Sequence, residues 1–107
     1  DNFLISGGGE QVWADGFRVG DAQVLDAKYV GVPERSPFIP GSAMPPAIRA
    51  TIVGKLENEM ARYSAVIGDA SNPTKGLEVI TNDPRAVPFF QDLLTKYGIP
   101  GRVVVQP

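Results

Sequence analysis

The 107-residue sequence contains no histidine and no cysteine. Those two absences exclude Ser-His-Asp triads, cysteine nucleophiles, histidine general bases, Cys/His zinc sites and disulfide frameworks. An excess of either charge is also missing: ten Lys and Arg stand against twelve Asp and Glu, for a net charge of −2. Such a balance argues against coating of nucleic acid or a membrane by bulk charge, and leaves room for a local basic patch. No run approaches the ~20 apolar residues of a bilayer span, and no charged-then-apolar leader opens the chain. Membrane insertion is therefore not expected of this domain. Because the first residue is Asp1, a domain excised from a larger polypeptide is expected.

What is present suits one folded domain over residues 1–107. Hydrophobic residues make up 43% and charged residues 21%, which are globular values. Gly7-Gly8-Gly9 reads as a turn, and the proline-rich stretch from Gly31 to Pro46 as a long ordered surface connection. Gln11–Val19 and Gln23–Val30 are rich in strand formers, with Gly20-Asp21 as the turn between them. Residues 46–67 read as a helix, with Ile48, Ile52, Leu56, Met60, Tyr63, Val66 and Ile67 on its apolar face. Leu77–Thr81 is a short strand, a helix capped by Asn82 or Asp83 runs to about Tyr97, and Arg102–Val105 is a last strand. The order β-hairpin, α, β, α, β predicts an α/β (α+β) mixed sheet flanked by helices.

A two-residue turn at Gly20-Asp21 would pair Val19 with Ala22 and, counting outwards, Asp15 with Asp26. Strand alternation places Asp26 and Lys28 on that same face, beside Trp13, Phe17 and Val24. Two carboxylates facing each other call for a cation between them. Mg²⁺ or Mn²⁺ fits, because such ions take one or two carboxylates and fill their remaining positions with water, substrate phosphate and backbone carbonyl, here that of Ala27. Hydrolysis of a phosphodiester then needs no histidine, and Lys28 would orient or help deprotonate the water or stabilise developing charge. The competing reading is an ordinary surface ion pair.

On the helix, Glu57 leaves the apolar stripe and is expected in solvent, whereas Glu59 falls inside it. Two readings stay open for Glu59: an internal ion pair with Arg62 or Lys55, or a place at the rim of the metal site with Arg62 on a phosphate. Lys28, Arg35, Arg49, Lys55 and Arg62 together could form a basic groove for nucleic acid. Glu10 faces opposite to Asp15 by strict alternation, and reaches the site only if the glycine triplet bends the chain.

Ala14-Asp15-Gly16 followed by Asp26-Ala27-Lys28-Tyr29-Val30 resembles the PD-(D/E)XK signature of restriction-endonuclease-like nucleases. With Glu10, Ser36-Pro37-Phe38, Glu59-Met60-Ala61-Arg62-Tyr63 and Glu78-Val79-Ile80-Thr81-Asn82, nearly the whole chain looks like the restriction endonuclease fold toxin 2 family. The resemblance implies Asp15 and Asp26 as metal ligands, Lys28 as the catalytic lysine, and Glu10 and Glu59 as supporting acids. It further implies a DNase domain of a secreted bacterial polymorphic toxin, acting in the cytoplasm of a target cell and neutralised by a cognate immunity protein. Ala14 stands where the generic signature has proline, and the helix that precedes the first core strand has almost no room before Glu10. An RNase of the same fold, or a non-catalytic interaction domain, are the alternatives.

Overall fold

The structure is a computed structural model that describes residues 2–107. Its first element was not expected from the sequence. Strand β1 (Phe3–Gly7) forms an antiparallel hairpin with β2 (Glu10–Ala14), pairing Gly7 with Glu10 and Phe3 with Ala14. The turn residues Gly8 and Gly9 have φ of 56° and 80°, the left-handed pair that a two-residue hairpin turn requires. Gly8 is also held by space, since a Cβ there would lie 2.6 Å from the Ala65 carbonyl oxygen. Here Phe3, Leu4 and Ile5, too few to stand out as a periodic segment, gain their strand partner from the glycine turn.

The strand expected over 11–19 is two strands. After β2 the chain bends at Asp15 and continues as β3 (Gly16–Arg18), which pairs antiparallel with β4 (Gln23–Ala27). The pairs Gly16–Leu25, Phe17–Val24 and Arg18–Gln23 follow the expected register. The loop is wider than expected: Val19–Asp21 form a short 3-10 turn closed by Ala22 at φ 55°, and the Ala22 amide donates to the Val19 carbonyl. The break at Asp15 lets Val12 and Ala14 bury against the long helix while Val24 buries beneath it. One straight strand could not serve both sites.

Helix α1 (Pro46–Gly68) is followed by β5 (Gly76–Thr81), α2 (Val87–Lys96) and β6 (Gly101–Val105). The main sheet has the order β3-β4-β5-β6, with β4-β5 and β5-β6 parallel. Both parallel steps move the same way across the sheet, so right-handed crossovers put α1 and α2 on one face. There Leu56, Met60, Tyr63, Val66 and Ile67 of α1 meet Val24, Leu77 and Val79 of the sheet and Phe90, Leu93 and Leu94 of α2. Ile48, expected on the apolar face, is 52% exposed because the first turns of α1 extend past this core. Glu57 is also not a free solvent residue: Lys96 and the Tyr97 hydroxyl both donate to its carboxylate and join α1 to α2.

The proline-rich connection is ordered, as expected, by Ser36 and Ile39, both buried, and by Phe38, whose ring lies 4.9 Å from that of Phe90 and 5.5 Å from that of Phe89. Arg49 donates to the Ser42 carbonyl and hydroxyl, so it fastens this loop rather than forming part of an open basic groove. Before α2, the Asp83 carboxylate accepts the Arg85 amide at 2.9 Å and caps the 3-10 turn Pro84–Ala86. Asp83→Ala should lower unfolding stability by ~1 kcal/mol, the usual value of such a cap, in a urea titration monitored by circular dichroism.

Candidate active site

The site forms where the β3-β4 ladder stops at the Gly16–Leu25 pair and β4 continues with β5 as its only strand partner. Asp26 and Lys28 are two residues apart on β4 and just beyond its end, so both side chains enter the face under α1. Asp26 is only 3% exposed. Lys28 Nζ lies 2.9 Å from Asp26 Oδ1 and 2.9 Å from Glu59 Oε1, and the second contact is an ion pair lacking hydrogen-bond geometry. This resolves the position of Glu59: it turns inward, as its helical phase predicted, but pairs with Lys28 and not with Arg62 or Lys55.

Asp15 approaches from the bend. Its amide donates to the Leu25 carbonyl, and its Oδ2 accepts the Ala27 amide at 2.7 Å. The carboxylate takes the place of a ladder partner that β3 no longer supplies. In an extended strand the N–H and C=O of one residue leave on the same side, so the Ala27 carbonyl faces the Asp15 edge. The Lys28 amide donates to the Ile80 carbonyl on β5, and Asn82 accepts the Val30 amide and donates to the Val30 carbonyl. These bonds fix the chain on both sides of Lys28.

Electrostatics separate the members of this cluster. Burial, opposed by Lys28 and reinforced by the nearby Glu59 and Asp15 carboxylates, pushes the Asp26 carboxyl up to about 7. For Lys28, burial works against the charge, but Asp26 and Glu59 outweigh it and hold the ammonium above lysine's ordinary value. Lys28 is therefore a fixed cation in this state and not a base. Tyr63, fully buried, donates its hydroxyl to the Trp13 carbonyl at 3.2 Å. Burial first, then Asp26 and Glu59, keep that hydroxyl protonated.

Asp26 Oδ2 is buried and has no hydrogen-bond partner. A buried carboxylate oxygen without a donor is costly unless a cation meets it. The donor set fits a hard divalent ion bound by Asp15, Asp26 and a backbone carbonyl. Among the described residues no group of three or more His, Cys, Asp or Glu side chains converges to hold a metal ion, so any ion there would have to take its remaining positions from water and phosphate. Beside the cluster, Lys28, Phe38, Lys55 and Glu59 line a cleft of about 220 Å³, and Lys55, Glu59 and Arg62 line a second on the same helix.

The family model of restriction endonuclease fold toxin 2 matches residues 2–100 of the chain. The chain belongs to this family. Neither the curated proteins nor the solved structures gave a match. The match begins before β1 and ends just before β6, so in this restriction endonuclease fold toxin it takes in Asp15, Asp26, Lys28 and Glu59 together.

Other expected site residues lie elsewhere. Glu10 begins β2, roughly 16 Å of extended strand from Asp15 at ~3.3 Å per residue, beside Ser6, Gln11 and Arg62. The glycine turn bends the chain toward β1 and away from the cluster. Arg35 is exposed on the 3-10 turn Pro33–Arg35 and lines neither cleft. Arg62 donates to Asn58 Oδ1 and to the Gln11 carbonyl, which ties α1 to β2. Trp13, expected beside the acidic pair, is 60% exposed and leaves that face open on its side. The sequence reading assigned no role to Tyr63 or Asn82 in the site. Tyr63 stands four residues after Glu59, one helical turn along the same face, and that spacing was the available signal.

Proposed function

We propose that this domain is a metal-dependent nuclease that hydrolyses phosphodiester bonds of DNA in a target bacterial cell. It would be delivered as part of a larger exported toxin and held in check by an immunity protein. The observation that carries the catalytic reading is the buried, partnerless Asp26 Oδ2 beside Asp15 and the Lys28 ammonium. Membership of a restriction endonuclease fold toxin family supports the toxin reading.

Asp15 and Asp26, with the Ala27 carbonyl, would hold Mg²⁺ or Mn²⁺. When bound, such an ion polarises a phosphoryl oxygen and makes a coordinated water acidic enough to attack at neutral pH. Lys28, anchored by Glu59, offers its charge to the negative charge that builds on the phosphate in the transition state. Its displaced value rules against proton abstraction by Lys28 while both carboxylates face it. Asp15, bound to the Ala27 amide, keeps its orientation without help from the ion, and Tyr63 holds the Trp13 carbonyl two residues before it.

A plasmid-nicking assay tests the reading: conversion of supercoiled DNA should require Mg²⁺ or Mn²⁺, stop with EDTA and be lost in Lys28→Ala. Cleavage that survives both chelation and the substitution would refute the metal mechanism. Degradation of RNA with intact plasmid would assign an RNase instead. In the same assay Glu59→Ala should cut the rate by at least ~10-fold, in line with loss of a group that fixes catalytic geometry, while Glu57→Ala should stay within about twofold of wild type. Equal rates for the two variants would remove Glu59 from the site.

A further inference from the structure

Bulk charge gives this domain only a weak hold on a nucleic-acid strand. The chain carries a net −2, and Arg18, Lys28, Arg85, Lys96 and Arg102 are all paired with carboxylates. Arg49 and Arg62 are bound to carbonyl oxygens as well. Affinity that comes from counterion release scales with the number of phosphates neutralised. With so many cations already engaged, a substrate needs another source of binding energy near the site.

Two large aromatic side chains stand in solvent on the segments that meet at the Asp15–Ala27 contact. Trp13 is 60% exposed and precedes Asp15 by two residues; Tyr29 is 59% exposed and follows Lys28. Trp13 lies opposite Leu4 in the β1-β2 hairpin, and Leu4 is 47% exposed, so the indole rests beside an apolar neighbour on the hairpin's outer face. Val12 and Ala14, which alternate with Trp13, are buried. The backbone beneath the indole is held in place, because consecutive α1 residues Arg62 and Tyr63 donate to the Gln11 and Trp13 carbonyls at 3.2 Å each. Tyr29 is flanked by the Lys28–Ile80 backbone bond and the double Asn82–Val30 contact. Both aromatics are thus presented on fixed backbone, continuous with the carboxylates of the site.

We infer that Trp13 and Tyr29 are base-stacking platforms, and that the substrate class of this site is a strand with unpaired bases, which a negatively supercoiled plasmid also exposes where its duplex opens. Every base has a face that stacks on an aromatic ring, and bases in a duplex are already stacked on one another. Trp13 alternates with the buried Val12 and Ala14, and Tyr29 with Lys28 and Val30, so both rings leave on the outer side away from α1; a single strand passing over the Asp15–Ala27 contact, where Asp15 is exposed, would meet a ring on each side of that contact. This inference rests on the nuclease reading for its cleavage step and is independent of it for binding.

Trp13 is the sole tryptophan, so its fluorescence reports the contact directly. In EDTA, where metal-dependent cleavage is off, a single-stranded oligothymidylate or oligouridylate should quench the emission, with weak dependence on salt, while a blunt hairpin duplex should change it little. The DNA and RNA arms identify which strand is preferred. In Mg²⁺, Trp13→Ala and Tyr29→Ala should each slow cleavage of the single strand by ~5- to 100-fold, the range expected from removing one stacking ring. Val19→Ala, 82% exposed at the β3-β4 loop, serves as the folded control and should cleave like wild type. Quenching without cleavage of any substrate keeps the platform and removes the nuclease reading. Cleavage with no quenching by either strand overturns the platform and leaves the nuclease. Emission that responds to no oligonucleotide, with no cleavage of any substrate, overturns both the platform and the nuclease reading.

Discussion

Asp26→Asn should abolish metal-dependent cleavage and at the same time make the metal-free protein more stable at pH 8. The two effects have one cause. Asp26 is buried, has an oxygen with no partner, and its carboxyl is pushed up to about 7, against an unfolded value of 3.8. Between those two values the native state holds a proton that the unfolded state has released. Stability therefore falls as pH rises through this window, and above about 7 the native state carries a buried charge it would shed if it could. Asparagine removes that charge at nearly constant shape. A gain of ~1–3 kcal/mol at pH 8 is expected, below the full value of the displacement because the amide also needs partners. The gain should shrink to near zero toward pH 4, where Asp26 is protonated in the native state too. Urea titrations in EDTA at the two pH values measure it. The same substitution removes a charged ligand, and cleavage should fall by at least ~10²–10³-fold. A variant that loses both stability and activity would show that Asp26 is a structural partner of Lys28 and nothing more.

Removing the cation has the opposite effect on the fold. Lys28→Met keeps the length and apolar body of the side chain but leaves Asp26 and Glu59 facing each other with no charge between them. Breaking a buried pair from one side costs ~3–5 kcal/mol. Lys28 and Glu59 retain some exposure, 20% and 24%, which places the expected loss at the lower end of that range at pH 8. Acidification should soften the loss, because protonation of Asp26 removes the repulsion. Cleavage should drop by ~10²–10³-fold, the size of a lost electrostatic stabiliser. The double variant Asp26→Asn/Lys28→Met should recover much of the lost stability and none of the activity. Additive stability changes would mean that the two residues do not interact as their 2.9 Å contact requires.

The active-site reading was legible in the sequence at Asp26 and Lys28 because strand alternation is a local rule. Two residues apart means one face, whatever the rest of the fold does. The inward turn of Glu59 was legible for the same kind of reason, since helical phase over 23 residues is fixed by 3.6 residues per turn. Its partner was not. Arg62 and Lys55 are neighbours on the helix surface, whereas Lys28 reaches Glu59 only after the sheet and helix pack together. Glu57 failed in the same way: its partners Lys96 and Tyr97 are about 40 residues distant and meet it only across the α1–α2 contact.

The register of the β3-β4 pair was read correctly and the geometry at Asp15 was not. Counting outwards from the turn gives Gly16 opposite Leu25, but counting cannot tell that the ladder stops there. It stops because Val12 and Ala14 gain more by burial under α1 than by continuing along β4, and the Asp15 carboxylate then satisfies the Ala27 amide. The exposed indole of Trp13 follows from the same break, since the hairpin with β1 turns its outer face away from the core.

The sequence by itself determined the chemistry available to this protein. Without histidine or cysteine, the hydrolysis proposed for it would rest on carboxylates, a hard cation and a lysine, and the spacing of Asp26 and Lys28 put two of those groups on one face. Tertiary structure decided which groups share a charge environment: Glu59 on Lys28, Asp15 against the Ala27 amide, Glu10 at the far end of its strand. Alternation and helical phase act over a few residues and can be counted. Burial, the loss of a ladder partner and the pairing of charges depend on which surfaces are removed from water together, and only the packed chain settles that.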